Sequence, residues 1–350
     1  MRKNIHYLKR SARQTDLFSI LVDEDSGGIL HNVPNVRYDK WEINSLGFRG
    51  REIDLEKKEG HIRIVCLGVS ETFGYFETKD KEWPLQLGEM LREKFSRVEV
   101  VNAAVVGQNL KRNKDYVEKY VLPLRPDIMI IMQTFLIYTA ALLRGVVGTP
   151  LRDKRKDKKA NGPIEGEPCG RVPKRVLPKY GEILERCLPG WVLSRFHLWR
   201  IRQKMKKKEK KHLMGKKALD EVPENILFQF ERDLTSFVHY LKENYILPIL
   251  STYPCLITPL NKDIHKELLL ATRVVFSIEL SENGVLDAAV KSNHVIKKIA
   301  DKQNVIFVDN DQLIPKTLEY FGDNFHFTDK GAELIAKNIS AVLSHYELVK

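Results

Sequence analysis

The sequence predicts an α/β protein with a central parallel sheet of about five strands and helices on both of its faces. Three observations support this fold class. Short apolar runs alternate with longer stretches of helical periodicity over most of the chain. The run Ile128 to Met132 is apolar at every position, as expected for a strand that is covered on both faces. The alternation is interrupted once, by a basic stretch at 144–225.

The predicted elements begin at Ile62, where a β-branched run ending at Gly68 indicates the first strand. Trp83, Leu87 and Leu91 then recur at helical spacing and predict an amphipathic helix over 82–95. The same criteria predict further strands at 98–101, 128–132, 246–250 and 305–308, and helices at 109–121, 226–241, 263–280, 287–302 and 329–344.

The composition divides the chain into three parts. Residues 1–60 are polar and are predicted to form an irregular N-terminal extension, while 61–143 and 226–350 form the α/β domain. Residues 144–225 carry 23 Lys and Arg against 10 Asp and Glu, a net charge of +13. This exceeds the net charge of +12 of the whole chain, so the remaining residues are close to neutral. This basic insertion is therefore predicted to be a cap or a surface-docking segment.

Composition also narrows the functional class. Four cysteines in 350 residues do not make a disulfide framework, and no Cys-x-x-Cys pair suggests a metal site, so no cofactor is expected. No signal peptide is visible, and the apolar run from Ile128 to Leu143 is better explained as a buried strand and the segment after it than as a membrane span. A cytoplasmic or peripheral membrane location is expected.

A serine lies directly after the first strand, in the segment Gly68 to Gly74. Ligands bind at the carboxyl ends of the strands in a sheet of this type, so Ser70 is expected to be exposed to a substrate there. A hydroxyl is a weak nucleophile at neutral pH and needs a base. Considered alone, a serine directly after a strand is usually a helix cap.

A candidate base lies between the fifth strand and the last helix. His326 is also at the carboxyl edge, so it can meet Ser70 despite their separation in sequence. Asp323 is close enough to orient the imidazole and to stabilise its charged form. After the second strand, the glycine at position 107 allows a backbone N–H to approach a developing oxyanion. Each of these residues also has a purely structural explanation: His326 as a surface or capping histidine, Asp323 as a turn cap, and Gly107 as a turn glycine.

In this order, the motifs Gly-x-Ser-x-x-Phe-Gly, Asn-x-x-x-x-Gly and Asp-x-x-His-Phe resemble those of the SGNH (GDSL-like) hydrolases. The resemblance covers about 60–135 and 226–348. It implies a flavodoxin-like fold, with Ser70 as nucleophile, His326 as base and Asp323 as its orienter. The N–H groups of Ser70 and Gly107 would hold the oxyanion. The stretch Asn44 to Glu52 resembles one that precedes this domain in many bacterial members, which often act on acylated carbohydrates.

Two positions depart from the family pattern. Val69 replaces the usual Asp before the serine, and the stretch Met132 to Tyr138 contains no Asn where the family has an oxyanion donor. Loss of one such donor typically costs roughly 10²–10³ in rate. Gln133 or Thr134 is a candidate to replace the missing Asn as the oxyanion donor. Tyr253, after the fourth strand, is a candidate to line the substrate pocket, although a role in core packing explains it about as well.

The expected function is hydrolysis or transfer of an O-acyl ester of a small molecule, carbohydrate or lipid. Two alternatives stay open. One is a binding protein on the same fold with impaired catalysis. The other is docking to an anionic surface through 191–211, where apolar residues precede the Lys204 to Lys211 run. That run has few interleaved aromatic residues, which argues against nucleic acid.

Overall fold

The computed structural model describes residues 20–147 and 199–346, apart from 201, 208, 212 and 214. Its centre is a five-stranded, wholly parallel sheet with the strand order β6-β5-β7-β8-β9. These strands are β5 (Ile62–Gly68), β6 (Val98–Asn102), β7 (Ile128–Met132), β8 (Leu247–Ser251) and β9 (Ile306–Val308). In order of sequence this arrangement is 2-1-3-4-5, the flavodoxin-like order, so the predicted fold class is confirmed.

Helices cover both faces of the sheet and make three layers. The main helices are α1 (Ser70–Phe73), α2 (Trp83–Arg92), α3 (Leu110–Tyr116), α4 (Phe135–Val147), α5 (Glu224–Glu243), α6 (Lys266–Phe276), α7 (Glu282–Gln303), α8 (Asn310–Leu313) and α9 (Asp329–His345). Helices α2 and α9 pack together on one side, whereas α4, α5 and α7 contact one another on the other side. The all-apolar strand β7 lies between the two layers and is buried at every position.

Several helices differ from their predicted bounds, and for two of them the structure shows how. The helix predicted over 109–121 is α-helical only to Tyr116, and continues as a π turn at Val117–Val121 and a 3-10 turn at Leu122–Leu124. Helix α7 begins at Glu282 rather than at 287, because the Ser281 side chain accepts a hydrogen bond from the Gly284 N–H and caps it.

The segment that precedes the sheet is more ordered than the sequence suggested. Residues 20–60 include two short hairpins, formed by β1 (Val22–Glu24) with β2 (Leu30–Asn32) and by β3 (Arg37–Tyr38) with β4 (Trp41–Glu42). Several of its side chains, among them Trp41, Ile43 and Phe48, are buried in the common core. The division of the chain into an extension, a domain and an insertion stays a prediction.

Most of the basic insertion, including the Arg152 to Lys159 run, lies outside the described residues. Within the described part, 202–207 and 209–211 are helical and largely exposed. This stretch contacts α6 through Arg273, whose Nη2 lies 3.1 Å from Glu209 Oε1. Among the described residues, no helix is long and apolar enough to cross a membrane.

Candidate active site

Ser70 is the first residue of α1, two positions beyond the end of β5. The turn between them requires a glycine, because a Cβ at Gly68 would lie 2.1 Å from Thr72 Oγ1 and 2.7 Å from the Met132 carbonyl oxygen. The helix ends after one turn at Gly74, which has φ of +86°. The Gly-x-Ser-x-x-Phe-Gly motif therefore encodes a sharp strand–helix turn that presents Ser70 at the carboxyl edge of the sheet.

His326 meets Ser70 at this edge. Its Nε2 lies 2.8 Å from Ser70 Oγ, and its Nδ1 lies 2.6 Å from Asp323 Oδ2. The carboxylate is itself fixed, because Asp323 Oδ1 accepts hydrogen bonds of 2.8 Å from the N–H groups of Phe325 and His326. Ser70, His326 and Asp323 thus form a continuous hydrogen-bonded chain, in the geometry that nucleophilic catalysis by serine requires.

Aromatic rings enclose the imidazole. The ring centroids of Tyr75, Phe76 and Phe325 lie 5.0–5.4 Å from that of His326. Ser70 is 4% exposed and His326 is 2% exposed. Because water is largely excluded, the hydrogen bonds of this chain act in a medium of low dielectric constant, where charge–dipole interactions are stronger than in water.

The loop after β6 is bonded to the nucleophile turn. Asn102 Nδ2 donates to the Thr72 carbonyl at 3.0 Å, and the Val105 N–H donates to the Gly68 carbonyl at 3.3 Å. Gly107 comes two residues later with φ of +78°, a conformation that favours glycine. Asn102 therefore has a structural role, and the loop that leads to Gly107 is bonded to the turn that carries Ser70.

The three predicted substrate-binding residues are all buried at the ends of β7 and β8. Gln133 Oε1 accepts a hydrogen bond of 3.1 Å from Asn113 Nδ2 in α3, whereas Gln133 Nε2 has no hydrogen-bond partner among the described residues. Tyr253 is held through its backbone, which exchanges two hydrogen bonds of 2.9 Å with the Asn293 side chain. The hydroxyl of Thr134 has no hydrogen-bond partner among the described residues. A role of these residues in substrate binding stays a prediction.

Sequence reasoning missed Glu71, the neighbour of Ser70. Its side chain is 1% exposed, and neither carboxyl oxygen has a hydrogen-bond partner among the described residues. Burial raises the pKa of Glu71 to about 7, although the nearby Thr134 hydroxyl, the positive charge of His326 and the N–H groups of Val69 and Glu71 oppose the rise. Glu71 belongs to a one-turn helix whose four residues are all buried in the structure, and no sequence signal pointed to this burial.

Sequence reasoning also missed the role of Arg49. Its buried guanidinium lies 3.5 Å from Glu82 Oε2 and 5.6 Å from the centre of the Phe73 ring, behind the nucleophile. The Arg49 N–H donates to the Asn102 carbonyl at 3.1 Å. Trp41 adds a hydrogen bond of 3.3 Å from Nε1 to the Gly74 carbonyl. The N-terminal segment therefore supports the nucleophile turn and the loop after β6.

Within the part of the chain that the structure describes, no group of three or more His, Cys, Asp or Glu side chains is placed to hold a metal ion. Two further carboxyls, Glu77 and Glu82, are buried near the N-terminal segment, and burial raises the pKa of each.

Comparison with solved structures gives neighbours at low sequence identity. They include GDSL-family lipolytic enzymes and acetylxylan esterases. A putative lipolytic protein of the G-D-S-L family from Desulfitobacterium hafniense DCB-2 is 16% identical, with a TM-score of 0.43, and the match covers 81% of this chain and 100% of that one. The lipase/acylhydrolase from Enterococcus faecalis is 14% identical, with a TM-score of 0.44 and coverage of 83% and 97%.

A catalytic mutant of an acetylxylan esterase from Geobacillus stearothermophilus is also 14% identical, with a TM-score of 0.44 and coverage of 82% and 96%. No family model and no curated protein matches the sequence.

Proposed function

We propose that this protein is a serine-dependent ester hydrolase, or an acyl transferase, that acts on O-acyl esters. The observation that supports the proposal best is the hydrogen-bonded chain from Ser70 through His326 to Asp323, with distances of 2.8 and 2.6 Å. Residues that are 256 positions apart in sequence meet here at the edge of the sheet where ligands bind in this class of fold.

In the proposed reaction, Ser70 Oγ attacks the ester carbonyl while His326 Nε2 accepts its proton. Asp323 holds the imidazole in the required tautomer and stabilises the imidazolium that forms. The backbone N–H groups of Ser70 and Gly107 donate to the oxyanion. His326 then returns the proton to the departing alcohol. Water, or a second alcohol, attacks the acyl-serine in the reverse sense and releases the acyl group.

A fluorophosphonate probe tests this proposal, because it phosphonylates only an activated serine. We expect labelling of the wild-type protein, and none of the Ser70→Ala variant. The matched control is Ser340→Ala, which removes another buried hydroxyl, from α9, and should label like the wild type. Labelling that persists in Ser70→Ala, or fails in a folded wild-type protein, would refute the proposal.

A second candidate is a binding protein with impaired catalysis, and one observation favours it. The stretch 132–138 contains no Asn in the place of the family's oxyanion donor, and the Oε1 of Gln133 is engaged by Asn113. The same labelling experiment separates the two candidates. Docking to an anionic surface through 191–211 concerns residues that lie largely outside the described ones, and it stays a prediction.

A further inference from the structure

Two unpartnered polar side chains lie next to the proposed nucleophile. The Glu71 carboxyl and the Thr134 hydroxyl lie near each other and are each 1% exposed, and none of their three oxygens makes a hydrogen bond of normal geometry among the described residues. Buried polar atoms in folded proteins are nearly always paired, with protein, with water or with a ligand. A cluster of unpaired atoms at the edge of a catalytic site therefore indicates a place that a polar group occupies.

The strand register places both side chains beside the reacting serine. Gly68 pairs with Met132 across the neighbouring strands β5 and β7. Ser70 and Thr134 each lie two residues beyond these paired positions, so they project from adjacent strand ends. Glu71 is the next residue after Ser70, and the Thr134 hydroxyl and the charge of His326 both act on its carboxyl. The two side chains therefore flank the serine that an ester must reach in order to react.

We propose that Glu71 and Thr134 form a subsite that binds a hydroxyl group carried by the substrate close to its scissile ester. This inference rests on the proposed function, since it concerns the substrate of the same site. In the complex, the substrate hydroxyl donates to the Glu71 carboxylate and accepts from the Thr134 hydroxyl. All three groups then have a hydrogen-bond partner.

Other chemical groups match the pair less well. A methyl or methylene group would leave a carboxyl and a hydroxyl unpaired, at a cost of about 1–3 kcal/mol for each group. An anionic group would be repelled by ionised Glu71. An ammonium group would have to lose its hydration against one carboxylate, and the desolvation of both charges offsets much of their attraction. A hydroxyl, which both donates and accepts, satisfies the two side chains without adding a charge.

The buried carboxyl is also suited to a neutral ligand. Because burial raises the pKa of Glu71 to about 7, both protonation states are populated near neutral pH. The ionised form accepts from the substrate hydroxyl, and the protonated form donates to it, so the subsite can bind a hydroxyl in either state. A fixed anion in the same place would bind a cation instead.

Two pairs of esters test the inference and locate the hydroxyl. In the first pair the acyl group differs: a glycolate ester is compared with the acetate ester of the same alcohol. In the second pair the alcohol differs: ethylene glycol monoacetate is compared with propyl acetate. After division by the rate of hydroxide-catalysed hydrolysis, we expect the wild-type kcat/KM to favour the hydroxylated member of at least one pair by about tenfold to a hundredfold.

Variants show whether the two side chains cause the preference. Glu71→Leu and Thr134→Val should each reduce it to less than about threefold, mainly by lowering kcat/KM for the hydroxylated ester. The matched control is Thr139→Val, since Thr139 is equally buried but its hydroxyl donates to the Phe135 carbonyl within α4 at 3.1 Å. This variant should keep the wild-type preference. Thermal unfolding confirms that each variant is folded.

Two outcomes overturn the inference. One is a wild-type protein that hydrolyses both members of each pair equally well. The other is a preference that survives in folded Glu71→Leu. Fluorophosphonate labelling separates these results from failure of the proposed function. If the wild-type protein is labelled at Ser70 but shows no hydroxyl preference, the proposed esterase function stands and only the subsite inference is refuted.

Discussion

Replacing Glu71 by Gln should stabilise the protein, and increasingly so as the pH rises. The substitution keeps the shape of the side chain and removes its titration. Burial raises the pKa of Glu71 from the ordinary value of 4.5 to about 7. Between these two values the folded protein binds more protons at this position than the unfolded chain does. The free energy of unfolding of the wild type therefore falls as the pH increases across this range.

The size of the effect can be worked out from the two pKa values. One pKa unit corresponds to 1.36 kcal/mol, so the full penalty of ionised Glu71 is about 3 kcal/mol, reached above pH 7. At pH 5 most of this penalty is not yet felt, because the carboxyl is still protonated in the folded protein. The stability difference between Glu71→Gln and the wild type should thus grow by about 2.5 kcal/mol from pH 5 to pH 8.

Urea unfolding at pH 5, 6, 7 and 8 measures this difference. Comparison with the wild type at each pH cancels the contributions of the other buried carboxyls, Glu77 and Glu82. The control is Glu89→Gln, which removes an exposed carboxyl that lies 3.5 Å from Arg51 and should change stability by less than about 1 kcal/mol. Parallel stability profiles for Glu71→Gln and the wild type would show that Glu71 is solvated or paired, and would refute the reasoning.

Two further substitutions test the site and its support. Asp323→Asn should lower kcat by roughly 10³–10⁴-fold with little change in KM, because an amide that donates to His326 Nδ1 imposes the wrong tautomer. Steady-state kinetics on an activated ester measures this effect. An unchanged kcat would exclude Asp323 as the residue that orients His326. Arg49→Met should lower the free energy of unfolding by about 3–5 kcal/mol, because it leaves Glu82 buried without its partner. Adding Glu82→Leu should restore most of this stability. Urea unfolding measures both effects, and equal instability of the single and double variants would contradict this account.

The sequence was sufficient to predict the sheet and the meeting of Ser70 with His326. Apolar runs such as Ile128–Met132 have no polar position, which only a strand covered on both faces tolerates. Parallel strands also bring the segments after them to one edge, whatever their separation along the chain. The pairing of Ser70 with His326 is a consequence of this rule and needs no knowledge of side-chain packing.

The sequence could not predict the hairpins of residues 20–60 or the burial of Glu71. Strands of two or three residues are too short for a period of two to be recognised, so β3 and β4 carry no signal. The burial of Glu71 arises from tertiary packing around a one-turn helix. A charged residue beside a serine is ordinarily expected to be solvated, and only the three-dimensional structure shows that it is not.

The unpaired burial of Glu71 is the strongest physical indication that this site binds a ligand. The carboxyl caps no helix and makes no ion pair among the described residues, and its burial opposes folding at neutral pH. An apolar side chain of similar size would be better for stability at this position. Proteins that keep a destabilising polar group usually do so at functional sites, where the partner is a ligand. The buried Glu71 carboxyl lies directly beside Ser70, whose reactivity depends on how an ester is held. The ligand that we expect to offset its unfavourable burial is therefore the substrate.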